Sequence, residues 1–81
     1  MPDMITCAKG LTNGAVPMAA VLARKGIYDT FMQGPDGVEL FHGYTYSAHP
    51  VACAAGLAAQ DIYRREGLLT RAQEIGKYWE E

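Results

Sequence analysis

Lys9 is the residue whose type and setting could do covalent chemistry. It closes the short apolar run Met4-Ile5-Thr6-Cys7-Ala8, Gly10 follows at once, and Gly14 comes after Leu11, Thr12 and Asn13. A lysine amine is a strong nucleophile only when deprotonated, and burial or a nearby positive charge can lower its pKa enough for that. A lysine fixed at a strand end, with flexible backbone beside it, is the arrangement needed to hold an aldehyde group as a Schiff base. On position alone, however, a lysine reads as a solvated surface charge. The balance depends on a second stretch.

That stretch is Phe41-His42-Gly43-Tyr44-Thr45-Tyr46-Ser47-Ala48-His49-Pro50. A phosphate ester needs backbone N–H groups, a hydroxyl or two, and preferably a helix N-terminus. Gly43 lets the backbone bend close to a ligand, Thr45 and Ser47 offer hydroxyls, and Pro50 suits the first position of a helix. Read by itself, the stretch fits an ordinary hydroxyl-rich loop capping a helix better than a phosphate site. Other chemistries have less support. The pattern Gly-x-x-x-x-Gly-Lys is absent, which excludes a nucleotide P-loop. His42 and His49 are the only histidines and have no carboxylate or thiol at metal-ligand spacing. Ser47 has no Gly-x-Ser-x-Gly frame and no evident general base.

The elements that must position these residues follow from the pattern. Met4–Ala8 is a continuous apolar run ended by a turn signal, which fits a buried parallel strand. Lys9 then sits at the strand's carboxyl end, where open α/β sheets bind ligands. Leu11–Gly14 reads as a turn, because Asn-Gly readily takes positive φ. Met18–Ala23 reads as a second strand at a hairpin-like separation, and Ile27–Met32 as a short amphipathic helix with Ile27 and Phe31 on one face. Gln33–Leu40 is a surface loop, with Pro35 and Asp36 at the centre of a type I turn and Gly37 after them. A helix is expected from Pro50 to about Glu66, with His49 as an unusual N-cap and Gly67 as the C-cap. Its packed face is expected to carry Val51, Ala55, Ala58 and Ile62, with Gln60 toward the exposed end. Leu68, Leu69, Ala72, Ile75 and Trp79 form a further apolar stripe at helical spacing.

A chain of 81 residues with 49% hydrophobic and 20% charged residues is globular in composition and holds one small domain at most. A chain this short buries only about 60% of the surface its unfolded form exposes. It begins almost on its most chemical residue and ends within a helical pattern, which reads as a portion of a larger enzyme. The formal net charge of −2 gives no reason to expect nucleic acid or a membrane surface as partner. No apolar run approaches the ~18 residues needed to span a bilayer, and the first residues lack a signal-peptide core. Cys7 and Cys53 lack Cys-x-x-Cys spacing and read as small buried thiols of a reducing compartment, so the expected location is the cytoplasm.

Taken together, Ala-Lys-Gly-Leu-Thr-Asn-Gly-Ala-Val-Pro-Met (Ala8 to Met18) and His-Gly-Tyr-Thr-Tyr-Ser-Ala-His-Pro-Val-Ala-Cys-Ala-Ala-Gly (His42 to Gly56) resemble the class III aminotransferases, which use pyridoxal 5'-phosphate. Within that family the chain most resembles the ω-amino acid–pyruvate (β-alanine–pyruvate) aminotransferases, over nearly its whole length. The resemblance implies that Lys9 forms the internal aldimine with the cofactor and that Thr45 binds the cofactor phosphate, with Tyr44 beside it. It implies a phosphate loop that reaches the active site of a partner subunit, hence a homodimer. It also implies an α/β fold: residues 1–81 would be part of the large cofactor-binding domain of a fold-type I aminotransferase, incomplete at both ends, in a mostly parallel sheet with helices on both faces. The substrates implied are a small-molecule amino donor and a keto acid.

In the family, the acid that pairs with the pyridine nitrogen, the aromatic residue that stacks on the ring and the arginine that meets substrate carboxylate all lie outside this stretch. The isolated chain is therefore expected to be inactive. Two other readings share the same residues. A related aminomutase would use Lys9 and the same phosphate loop, and a catalytically silent unit would use the alanine-rich helix as an interaction surface.

Overall fold

The structure, a computed structural model, describes residues 1–36 and 40–80. Two strands come first, β1 (Met4–Ala8) and β2 (Ala19–Ala23), followed by three helices, α1 (Lys25–Phe31), α2 (Pro50–Arg65) and α3 (Leu68–Glu80). A single 3-10 turn, Lys9–Leu11, leaves the end of β1. The order is that of an α/β unit, short strands and then helices.

β1 and β2 pair antiparallel, with Met4 opposite Ala23, Thr6 opposite Val21 and Ala8 opposite Ala19. β1 was expected as a buried parallel strand; among the described residues its one pairing is antiparallel, with the next strand in sequence, and it is largely exposed. The apolar run has strand-forming residues, but its neighbour is the next strand in sequence, joined to it by Lys9–Met18, so the return is a hairpin rather than a crossover. Both strands lie largely open. Only Cys7 and its cross-strand partner Ala20 are half-buried, on the same face of the pair.

α1 follows β2 directly. Its first turn is tied by Lys25 Nζ, which lies 2.7 Å from Asp29 Oδ1 one helical turn on. Arg24, just before it, donates to the Met1 carbonyl and pairs with Asp3 at 3.2 Å, which fastens the chain's start to the end of β2. The type I turn expected around Pro35 and Asp36 runs into residues 37–39, which lie outside the described residues.

α2 begins at Pro50, which lacks the N–H that the first helical position would leave unpaired. His49 is the N-cap as expected, with its Nδ1 accepting from the Ala52 N–H at 3.4 Å. Gly67 ends the helix at φ +61°, a left-handed conformation that glycine takes without a Cβ clash.

The inward face of α2 differs from the expected one. Ala52 and Gly56 are buried and Cys53, Ala55, Ala59 and Tyr63 half-buried; of the expected face only Ala55 is turned inward, whereas Val51, Ala58 and Ile62 are exposed. An alanine-rich helix has a weak apolar periodicity, and here close approach selects the face rather than side-chain size. At Gly56 an added Cβ would stand 3.2 Å from Met18 Sδ. The stripe on α3 is also open, with Leu69, Ile75 and Trp79 exposed. The expected packing of that stripe therefore has no partner surface among the described residues.

Candidate active site

Lys9 stands where the strand ends and the 3-10 turn begins, as its position after the apolar run requires. Its backbone is left-handed, φ 51°, which is uncommon for a residue with a Cβ. The turn that holds it is built from its own carbonyl. Lys9 O accepts from Thr12 N at 3.4 Å and Gly14 N at 3.2 Å, and Gly10 O accepts from Asn13 N at 3.2 Å. Asn13 and Gly14 take φ 52° and 76°, the positive values expected of Asn-Gly. The Lys9 side chain is exposed, and among the described residues its amine makes no ion pair or hydrogen bond. It borders a small apolar hollow of about 350 Å³ with Val16, Pro17 and Met18.

Thr12 locks the base of the loop. It is 2% exposed, and its Oγ1 donates to the Val16 carbonyl at 2.6 Å. The same oxygen accepts from Val16 N–H at 3.4 Å. A buried hydroxyl with both roles filled fixes the segment between Lys9 and Pro17 without adding charge.

The second stretch forms a tight turn ahead of α2. Ser47 Oγ accepts from Tyr44 N–H at 2.9 Å, Ser47 N–H returns a bond to the Tyr44 carbonyl at 3.0 Å, and His49 N–H reaches the Tyr46 carbonyl at 3.1 Å. Ser47 is thus spent on the loop's own shape. Among the described residues no hydrogen bond engages the Thr45 hydroxyl, and Thr45 and Tyr44 are exposed. The rings of His42 and Tyr44 meet edge to face at 5.4 Å.

Between this loop, the hairpin and the start of α2 lies a larger groove of about 1110 Å³, lined by Cys7, Met18, Ala20, Tyr44, His49 and Cys53 among others. Tyr44 borders this groove, Lys9 borders the smaller hollow and Thr45 borders neither. Ala8, Val16, Pro17 and Met18 line both spaces. One copy of the chain therefore does not gather Lys9, Tyr44 and Thr45 into one pocket. Cys7 and Cys53 are free and half-buried, less enclosed than expected. No group of His, Cys, Asp and Glu among the described residues could hold a metal ion.

Two residues that the sequence reading did not single out join α2 to the lysine turn. Tyr63 Oη donates to the Gly10 carbonyl at 2.7 Å, and Gln60 Nε2 donates to the Leu11 carbonyl at 3.2 Å. Gln60 is therefore not merely part of the exposed end of α2. The available signal was their spacing of three on one helix, which puts both on one face; their partners are backbone carbonyls, which no residue letter marks.

The hairpin, the lysine turn and the helices that follow them form part of an α/β domain. A solved structure from work on directed evolution of transaminases by ancestral reconstruction matches with a TM-score of 0.85 and 42% identity, over 96% of this chain and 17% of that one. Residues 1–81 match the family Aminotransferase class-III, and the chain belongs to that family. An omega-aminotransferase of Caulobacter vibrioides is 58% identical over 99% of this chain. A beta-alanine–pyruvate aminotransferase of Pseudomonas aeruginosa is 57% identical over 98% of it, and an omega-amino acid–pyruvate aminotransferase of Pseudomonas putida 52% over 98%. The chain spans 18% of the length of each of these three relatives.

Proposed function

We propose that the protein carrying this chain is a pyridoxal 5'-phosphate-dependent transaminase that moves an amino group from an ω-amino acid or amine to pyruvate. The observation that carries the reading is the 52–58% identity, over nearly all of the chain, to proteins named for ω-amino acid or β-alanine transfer. The side chains suit the cofactor. Lys9 offers an exposed primary amine on a backbone held by its own turn, and Thr45 offers a hydroxyl not spent on local structure.

When bound, the pyridoxal ring supplies an electron sink for charge that develops at the substrate carbon next to nitrogen. Lys9 Nζ would hold the cofactor by its aldehyde group, and once freed by the substrate amine the same nitrogen would be the base that takes and returns a proton at the substrate carbon. Thr45, with Tyr44 beside it, anchors the phosphate so that the ring keeps its alignment with Lys9. That Lys9 and Thr45 line no common space in one copy supports a homodimer in which each copy lends its loop to the other. The free thiols of Cys7 and Cys53 support a reducing, cytoplasmic compartment. No described helix is long and apolar enough to cross a membrane.

Borohydride reduction of the cofactor-loaded protein, followed by peptide mass analysis, tests the assignment. The expected result is cofactor mass on the peptide containing Lys9, with Lys9→Ala reducing pyruvate-dependent turnover to background. Label on another lysine, or turnover retained by Lys9→Ala, overturns it.

A further inference from the structure

The turn that carries Lys9 is gripped from outside by a helix far along the chain, and the grip falls on the two carbonyls that follow the lysine. Tyr63 Oη donates to Gly10 O at 2.7 Å, and Gln60 Nε2 to Leu11 O at 3.2 Å. The donors are three residues apart on α2 and the acceptors are consecutive, so one helix face reads two successive peptide units of the 3-10 turn. Gly56, one turn earlier on the same face, admits Met18 and Thr12 against the helix backbone, and Thr12 itself is locked to Val16.

We propose that Tyr63, assisted by Gln60, is a positioning residue for the Lys9 amine. The proposal rests on the reading of Lys9 as the residue that holds the cofactor. The physical reason lies in the backbone. At φ 51° Lys9 occupies a sparsely populated region that costs energy for a residue with a Cβ and persists only where neighbours over-determine it. Relaxing Lys9 φ turns the chain that follows about the Lys9 N–Cα bond and carries the Gly10 carbonyl away from Tyr63. The phenol therefore resists the rotation that would relax the lysine. Gln60 acts on the next peptide in the same sense. Lys9 borders the hollow beside Val16, Pro17 and Met18. A change in its starting direction is carried to Nζ at the far end of a long, flexible side chain. Proton transfer between fixed atoms is sensitive to such displacement.

The test uses the whole protein with its cofactor. Tyr63→Phe keeps the ring and removes the donor, and Gln60→Met keeps the length and removes the amide. In Tyr63→Phe, borohydride still labels Lys9 and KM for the amino donor stays within about twofold, while kcat falls about tenfold. The pH midpoint of the bound cofactor's visible absorbance band also moves, which a merely structural loss would not cause. Gln60→Met gives a smaller change in the same direction, and the double variant exceeds either single one. Should Tyr63→Phe fail to fold, Gln60→Met decides: an unchanged kcat and midpoint there overturns the proposal. Unchanged kcat and midpoint in Tyr63→Phe and in the double variant, with Lys9 labelled, also overturn it. Absence of label on Lys9 in the unsubstituted protein overturns instead the reading of Lys9, and the positioning role with it.

Discussion

Thr12 shows how the lysine turn is held at the scale of single atoms. Its hydroxyl is buried and both donates and accepts within the loop, so its removal leaves the Val16 carbonyl without its donor in a closed space. Thr12→Val, close to isosteric, is expected to cost about 1–3 kcal/mol, the cost of an unsatisfied buried group. Thr12→Ser keeps the oxygen and loses only the methyl that lies against Gly56, so it is expected to cost less than Thr12→Val. Urea unfolding of the protein carrying this chain checks the order; equal losses would show that packing, not the hydroxyl, matters. Much at this scale was legible beforehand. Lys9 at the end of an apolar run, positive φ at Asn13 and Gly14, and Gly67 beyond the end of α2 all follow from residue type, because each depends on local stereochemistry. Tyr63 and Gln60 were not legible, because a hydrogen bond to a distant carbonyl depends on the fold and not on the identity of the residue that owns the carbonyl.

At the scale of elements, α2 is the part on which the site depends, and its two ends obey different rules. Its cap is weak: His49 Nδ1 accepts at 3.4 Å, at the long limit of a hydrogen bond. A carboxylate there would accept more strongly and would face the helix dipole favourably. His49→Asp is expected to raise stability by about 0.5–1 kcal/mol, read from the urea midpoint, and a loss would show that the imidazole serves the neighbouring groove instead. In the middle, Gly56 sets two effects against each other. Alanine there gains about 1 kcal/mol of helix propensity but brings a Cβ to 3.2 Å from Met18 Sδ. Met18 is flexible and borders open space on two sides, so it gives way and Gly56→Ala stays within about 1 kcal/mol of the parent. Gly56→Val adds bulk that also meets Thr12 and is expected to cost about 1–3 kcal/mol. The existence of the helices and strands was readable from apolar runs, glycines and prolines. The face of α2 was not: Val51, Leu57 and Ile62 are its bulkier aliphatic residues, yet all three are exposed, and Met18 and Thr12 approach over Gly56, where there is no side chain to displace.

Taken as a whole, the molecule has almost no interior of its own. Its radius of gyration is 16.8 Å, where a compact domain of this length has about 12 Å. Its accessible surface is 7387 Å², against about 4,800 Å² for a folded monomer of its mass. Ala52, 7% exposed, is the one buried hydrophobic residue among those described, and Trp79 is 80% exposed. The hairpin and the paired helices also touch chiefly through the lysine turn, so the clamp of Gln60 and Tyr63 has little packing around it to keep it closed. Hydrophobic burial on this scale does not offset the entropy of ordering the backbone. Residues 1–81 produced alone are therefore expected to show some helix by far-UV circular dichroism, mostly from α2 and α3. Heating is expected to give a shallow, non-cooperative loss of that signal, because isolated helices of this length are marginal in water. A pyridoxal phosphate titration of the same polypeptide is expected to leave no saturable visible band, since too little packing surrounds the hydrogen bonds of the Lys9 turn to keep them formed. A sharp, concentration-independent unfolding transition would contradict this account and would mean that the hairpin and helices find a core in solution that their exposed faces do not display.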